Sequence, residues 1–148
     1  MSIKDDAVEV RAQGWRTLAA LHGLIEGALE QALQTTADLS VVEYTVLDAL
    51  DRQNGWHMRM QQLARATALS PSATTRLVNR LEQRGLLRRI LCADDRRGIY
   101  TELTGEGSEL LASARPVHDS ALEQALTDAE GIAELASLVR SLPQASFV

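Results

Sequence analysis

The chain has 148 residues, 45% of them hydrophobic but only 3% aromatic, and a formal charge of -5. That length suits one domain, 1–148, built on an aliphatic core. The single cysteine excludes an internal disulfide, and no apolar run approaches the ~18 residues of a membrane span. MSIKDDAVEVRAQGW shows neither an apolar signal region nor a lipidation motif, so the expectation is a cytoplasmic protein with no membrane partner.

The charge is unevenly spread. Residues 1–58 sum to -5, residues 59–97 to +6 and residues 98–148 to -6. A basic middle between acidic ends fits a phosphate-binding segment on an acidic scaffold. Charge alone fits an arginine cluster on a solvated face equally well.

In chain order, apolar residues at three- and four-residue spacing predict a long helix from about Val8 to Leu33. Gln34 to Leu39 is polar and reads as a loop. Ser40 and Glu43 then form a capping box for a second helix, which stops near Gln53-Asn54-Gly55. Met58 to Met60 is a short extended candidate, Gln61 to Ala66 a short helix, and Thr67-Ala68-Leu69 a turn. Ser70-Pro71 opens the next helix with an N-cap and a first-turn proline, and Gly85 ends it. Leu86 to Leu91 and Ile99 to Leu103 are two strands around a charged hairpin tip. Thr104 caps a further helix, which Pro116 should bend or split. Thr127 to Glu130 reads as a capping box for a last helix, stopped by Pro143. The order is α-α-α-α-β-β-α-α, mainly α with a small β-hairpin.

A short helix, a tight turn and a second helix opened by Ser-Pro make a helix-turn-helix pattern. At ~100° per residue, Thr74, Leu77, Val78 and Leu81 share the stripe that buries. Ser72, Thr75, Arg76, Asn79 and Gln83 face the other way, with Ala73 and Arg80 at the edges. Ser70, Ser72, Ala73, Thr75, Arg76, Asn79 and Arg80 are therefore the candidate DNA contacts. Their types suit base edges and phosphates, and no carboxylate stands among them. An ordinary solvated face would mix in Glu and Lys.

The hairpin after it makes a winged helix-turn-helix. Along a regular strand Asp95 and Arg97 share a face, so Asp95 is placed to orient Arg97 towards a minor groove, while Arg96 grips phosphate. Three scattered histidines and one cysteine show no metal spacing, and no nucleophile, phosphate-loop or paired-carboxylate motif appears. The expectation is therefore no enzyme, no metal and no cofactor.

SPSATTRLVNRLEQRGLLRR followed by DDRRGIYTELTGEG resembles the MarR family of bacterial transcription regulators. The matching parts are Leu81-Glu82, Gly85-Leu86-Leu87 and Arg89, then Asp95 and Arg97, then Leu103-Thr104 and Gly107. Ala73-Thr74 departs from the family's usual Thr-Val, which leaves the base code open. The resemblance implies dimerisation helices over 8–35 and 105–148 around a winged DNA-binding region over 40–104. It implies a homodimeric repressor on a near-palindromic double-stranded DNA operator. It also implies a small-molecule effector, anionic or aromatic, for which Trp15, Arg16, His22 and Tyr44 are the candidate lining. Two alternatives stay open: a winged protein-interaction module without specific DNA binding, and a redox sensor acting through Cys92.

Overall fold

Ser40 shows how local sequence sets an element. Its hydroxyl accepts from the Glu43 N–H at 3.0 Å, and the Glu43 carboxylate accepts from the Ser40 N–H at 2.9 Å. The box predicted from sequence is thus present, and it closes the N-terminus of a twelve-residue helix. The computed structural model describes residues 3–53, 57–92 and 95–143, the side chains of 3–5, 92 and 95–97 excepted. Among them the order is α1 (Ile3–Ala37), α2 (Val41–Arg52), β1 (His57–Arg59), α3 (Met60–Thr67), α4 (Pro71–Gln83), β2 (Leu87–Cys92), β3 (Asp95–Leu103), α5 (Gly105–Glu130) and α6 (Ala133–Ser141). The architecture is mainly α with a small antiparallel sheet of strand order β1-β3-β2. No helix of the described residues is long and apolar enough to cross a membrane.

The chain divides into two compact units. The first covers residues 33–117. Its core is aliphatic, with Leu33, Leu47, Leu50, Leu63, Leu81, Leu87 and Leu111 almost fully buried. Each such side chain contributes about 1.5–3 kcal/mol, more than a surface ion pair at about 0–1 kcal/mol. The second covers residues 1–32 and 118–148, where Leu21, Ala129, Leu135 and Val139 form a smaller cluster.

Four expectations are corrected. Gln34 to Ala37 is helix, not loop, because its polar side chains lie on the exposed side between buried Leu33 and Leu39. The helix ends instead at Asp38, left-handed at φ 51°, where the Leu39 N–H reaches back to the Leu33 carbonyl. Pro116 does not split its helix, since α5 runs unbroken from Gly105 to Glu130. A proline removes one hydrogen bond there, which a 26-residue helix tolerates. Thr127 opens no helix: its hydroxyl donates to the Glu123 carbonyl inside α5, and α6 starts after Ile132 without a side-chain cap. The short extended candidate is a true third strand, and Met60 belongs to α3 rather than to it.

The wing is tied to the body at one knot. Gly85 takes φ 77° so that its own N–H reaches the Glu82 carbonyl and the Leu86 N–H the Leu81 carbonyl, closing α4. The Thr104 hydroxyl donates to the Gly85 carbonyl at 2.7 Å and accepts from the Gly107 N–H at 3.0 Å. One threonine therefore caps α5 and fixes the turn that launches β2.

Arg115 clamps α5 to α2, donating to Asp48 at 3.0 Å and Asp51 at 2.9 Å, while Arg52 holds Asp48 at 2.8 Å. Burial raises the Asp48 carboxyl, but the hydrogen bonds and charges of Arg52 and Arg115 outweigh it and hold it below its ordinary value. A depressed carboxyl adds stability above the unfolded value near ~4 and loses it as pH falls through the folded value. Asp48→Asn should therefore lower the melting temperature at pH 7 and flatten its fall as the pH drops below about 4. Thermal melts across that range check it, and an unchanged acid limb would discount the clamp.

Candidate nucleic-acid interface

α3 and α4 form the helix-turn-helix. The turn uses Ala68 at φ 56°, with the Leu69 N–H bonded to the Ala64 carbonyl. Ser70 caps α4, its hydroxyl accepting from the Ala73 N–H at 3.2 Å, and Pro71 fills the first turn. Thr74, Leu77, Val78 and Leu81 are buried, as the helical spacing predicted. The Thr74 hydroxyl donates to the Ser70 carbonyl at 2.9 Å, so this residue is core.

The opposite face carries the predicted contacts. Ser70, Ser72, Thr75, Arg76, Asn79 and Arg80 are exposed and Ala73 is half-buried. The Thr75 hydroxyl spends its hydrogen on the Pro71 carbonyl at 3.0 Å. It therefore offers outward a lone pair and a methyl group, which suit a base amino group or a thymine methyl. Arg76 and Arg80 stand one turn apart beside a hollow of about 230 Å³ that Ser40, Val42, Leu69 and Leu77 also line.

The arginines divide into two sets. Arg84 pairs with buried Glu43 at 3.2 Å, Arg88 with Glu102 at 2.7 Å and Arg89 with Glu82 at 3.6 Å. Glu82 also accepts from the Arg89 N–H, so the one acid at the end of α4 is bound to the wing. Arg65, Arg76 and Arg80 make no ion pair among the described residues. Arg65, Arg76 and Arg80 thus place unpaired positive charge on α3 and α4. Arg65 was missed from sequence. Its signal was its place on the solvent side of α3, opposite buried Leu63 and Ala64.

In the wing, β2 and β3 pair antiparallel from Leu87↔Leu103 to Leu91↔Ile99. The register then shifts to Cys92↔Asp95, leaving residues 96–98 with no ladder partner on β2. The pairing of Asp95 with Arg97 assumed a regular strand, and the irregularity falls at that place. The side chains of Cys92, Asp95, Arg96 and Arg97 lie outside those described, as does all of Asp94. On the sheet's other face the Arg59 Nε donates to the Tyr100 hydroxyl at 3.1 Å, and the His57 ring meets that of Tyr100 edge-on at 5.2 Å.

The candidate effector residues fall into different environments. Trp15, Arg16 and His22 are exposed on α1, with Arg16 held by Glu9 at 2.7 Å and by Gln13. Tyr44 is 4% exposed and belongs to the core of residues 33–117.

The MarR family model matches residues 37–98, the stretch from the end of α1 into the wing. Transcriptional regulator HosA of Escherichia coli O157:H7 is 34% identical over 89 residues, 60% of this chain and 64% of HosA. The chain thus spans just under two thirds of the length of that curated relative. AbsC, a MarR family transcriptional regulator from Streptomyces coelicolor, superposes with a TM-score of 0.74 at 30% identity, over 96% of this chain and 91% of AbsC. Sco3205, of the same family and organism and solved in complex with DNA, gives 0.73 at 31% identity, over 95% of this chain and 89% of Sco3205. On the helix-turn-helix, the wing and these relatives, the chain belongs to the MarR family of transcriptional regulators.

Proposed function

We propose that the chain is a homodimeric repressor that binds a near-palindromic double-stranded DNA site. The observation that carries this is the exposed face of α4, where Ser72, Thr75, Arg76, Asn79 and Arg80 project without a carboxylate and without ion pairs among the described residues. Sco3205, similar over nearly the whole chain, was solved with DNA, which supports the same use of this face. Arg76 and Asn79 enter the major groove, Ser70 and Arg80 flank phosphates, and Arg97 enters the minor groove with Asp95 beside it.

The dimer reading draws on apolar surface. Val8, Val10 and Leu18 on α1, with Ile132 and Leu142 near α6, are exposed in the single chain. A second copy that covers them gives the two-fold symmetry a palindromic site requires. Trp15, Arg16 and His22 offer an aromatic and cationic surface for an anionic aromatic effector.

Selection from random duplex, with sizing of the protein, tests this reading. It should return a site with two half-sites about one helical turn apart and a particle of two chains. Arg97→Ala should weaken binding to that site about tenfold and leave the dimer intact. Unchanged affinity at matched salt would sink the wing assignment.

A further inference from the structure

We propose that Leu91 and Ile99 form an apolar DNA-contact surface on the wing, lying against deoxyribose faces of the duplex; this rests on the DNA-binding reading above. Alternate rungs of the β2–β3 ladder share one face of the ribbon: Leu87↔Leu103, Arg89↔Thr101 and Leu91↔Ile99. Leu87, Leu103 and Thr101 on this face are buried against the body. The ribbon then outruns the core, and its third rung leaves Leu91 78% and Ile99 45% exposed. Two large aliphatic side chains directly opposite one another make one continuous patch rather than two scattered residues.

Size and surroundings identify the occupant. Two side chains fall far below the ~800 Å² per partner of a stable protein interface. Ile99 also borders a hollow of about 280 Å³ with Arg59, Met60, Gln61 and Gly98. The Arg59 guanidinium itself is held by Tyr100 on the ribbon's opposite face, through the hydrogen bond from Nε and a stacking contact at 5.4 Å. Ile99, one half of the aliphatic pair, thus shares its hollow with a basic and an amide residue. A nucleic-acid backbone alternates in the same way, an apolar sugar next to an anionic phosphate. Leu91 also sits in the basic stretch of the chain and Ile99 just past its end, next to the irregular pairing at Leu91/Cys92 that leads to Arg96 and Arg97.

Contact with sugar releases no counterions, so its contribution is insensitive to salt, unlike that of an arginine on phosphate. Leu91→Gln combined with Ile99→Thr should weaken binding to the selected duplex by about tenfold at every salt concentration, from the apolar area lost. The slope of log affinity against log salt should stay at its wild-type value. Leu91→Met with Ile99→Val keeps the apolar area and should retain affinity within about twofold. Leu91→Gln alone, at the more exposed position, serves if the double variant melts early, and should still lose severalfold. Affinity unchanged in Leu91→Gln, or a loss accompanied by a shallower salt slope, would overturn the proposal. Wild-type protein that selects no site would instead remove the DNA-binding reading on which it rests.

Discussion

Arg76→Ala is expected to weaken binding to the selected duplex by about 10- to 100-fold while leaving the melting temperature unchanged. The two halves of that result have one cause. Arg76 is exposed on α4 and has no ion-pair partner among the described residues, so its removal orphans no buried group. Its only loss is in the complex, where a guanidinium against a guanine edge is worth about 1–3 kcal/mol. Arg84 gives the opposite outcome. It sits at the C-terminal end of α4 and satisfies Glu43, which is 5% exposed and already engaged in the α2 capping box. Arg84→Ala should cost about 1–3 kcal/mol of stability, because the remaining carboxylate is left buried without its cation. Binding titrations and melts on both variants separate the roles. Equal loss of stability in both would show that the arginines are not divided as described.

Gly107→Ala should lower stability by about 3 kcal/mol, the upper end for a forced overlap, and weaken DNA binding through loss of folded protein. Gly107 is buried at the first turn of α5. A Cβ added there would overlap the Leu86 carbonyl oxygen and stand 2.9 Å from the Leu103 Cδ1. The carbonyl cannot step aside, since it accepts from the Thr104 N–H at 3.2 Å and belongs to the turn that launches β2. Gly105, two residues earlier, meets nothing within 4 Å of such a Cβ and is the matched control. Gly105→Ala should stay within about 0.5 kcal/mol of wild type in denaturant titration. A tolerant Gly107→Ala would mean that the knot between α4, β2 and α5 is slack.

Much of the winged unit was legible because its signals are local. Ser40-x-x-Glu43, Ser70-Pro71 and Gly85 each name a helix end by the chemistry of one or two side chains, and each end lies where those residues placed it. The division of α4 into a buried and an exposed face followed from helical periodicity alone. The ends of α1 and α5 were misread for a different reason. Gln34 to Thr36 is polar because it faces solvent, and Thr127 bonds back within its own helix. Neither polarity nor a Ser/Thr-x-x-Glu pattern tells a helix surface from a helix end unless the burial of its neighbours is known. The strand register was beyond reach as well, since the shift after Leu91 depends on which residues pair across the hairpin. The division of the arginines depends on pairs up to 41 residues apart in sequence, such as Arg84 with Glu43, which no spacing rule could anticipate.

The central claim is specific recognition of double-stranded DNA by the unpaired face of α4. Its most direct test is the affinity for the selected duplex against a shuffled duplex of equal length, by fluorescence anisotropy near physiological salt. Specific recognition predicts at least about 10³-fold tighter binding to the selected sequence. Equal affinities that vanish together as salt is raised would contradict it, and would mark the winged unit as a protein-interaction module instead.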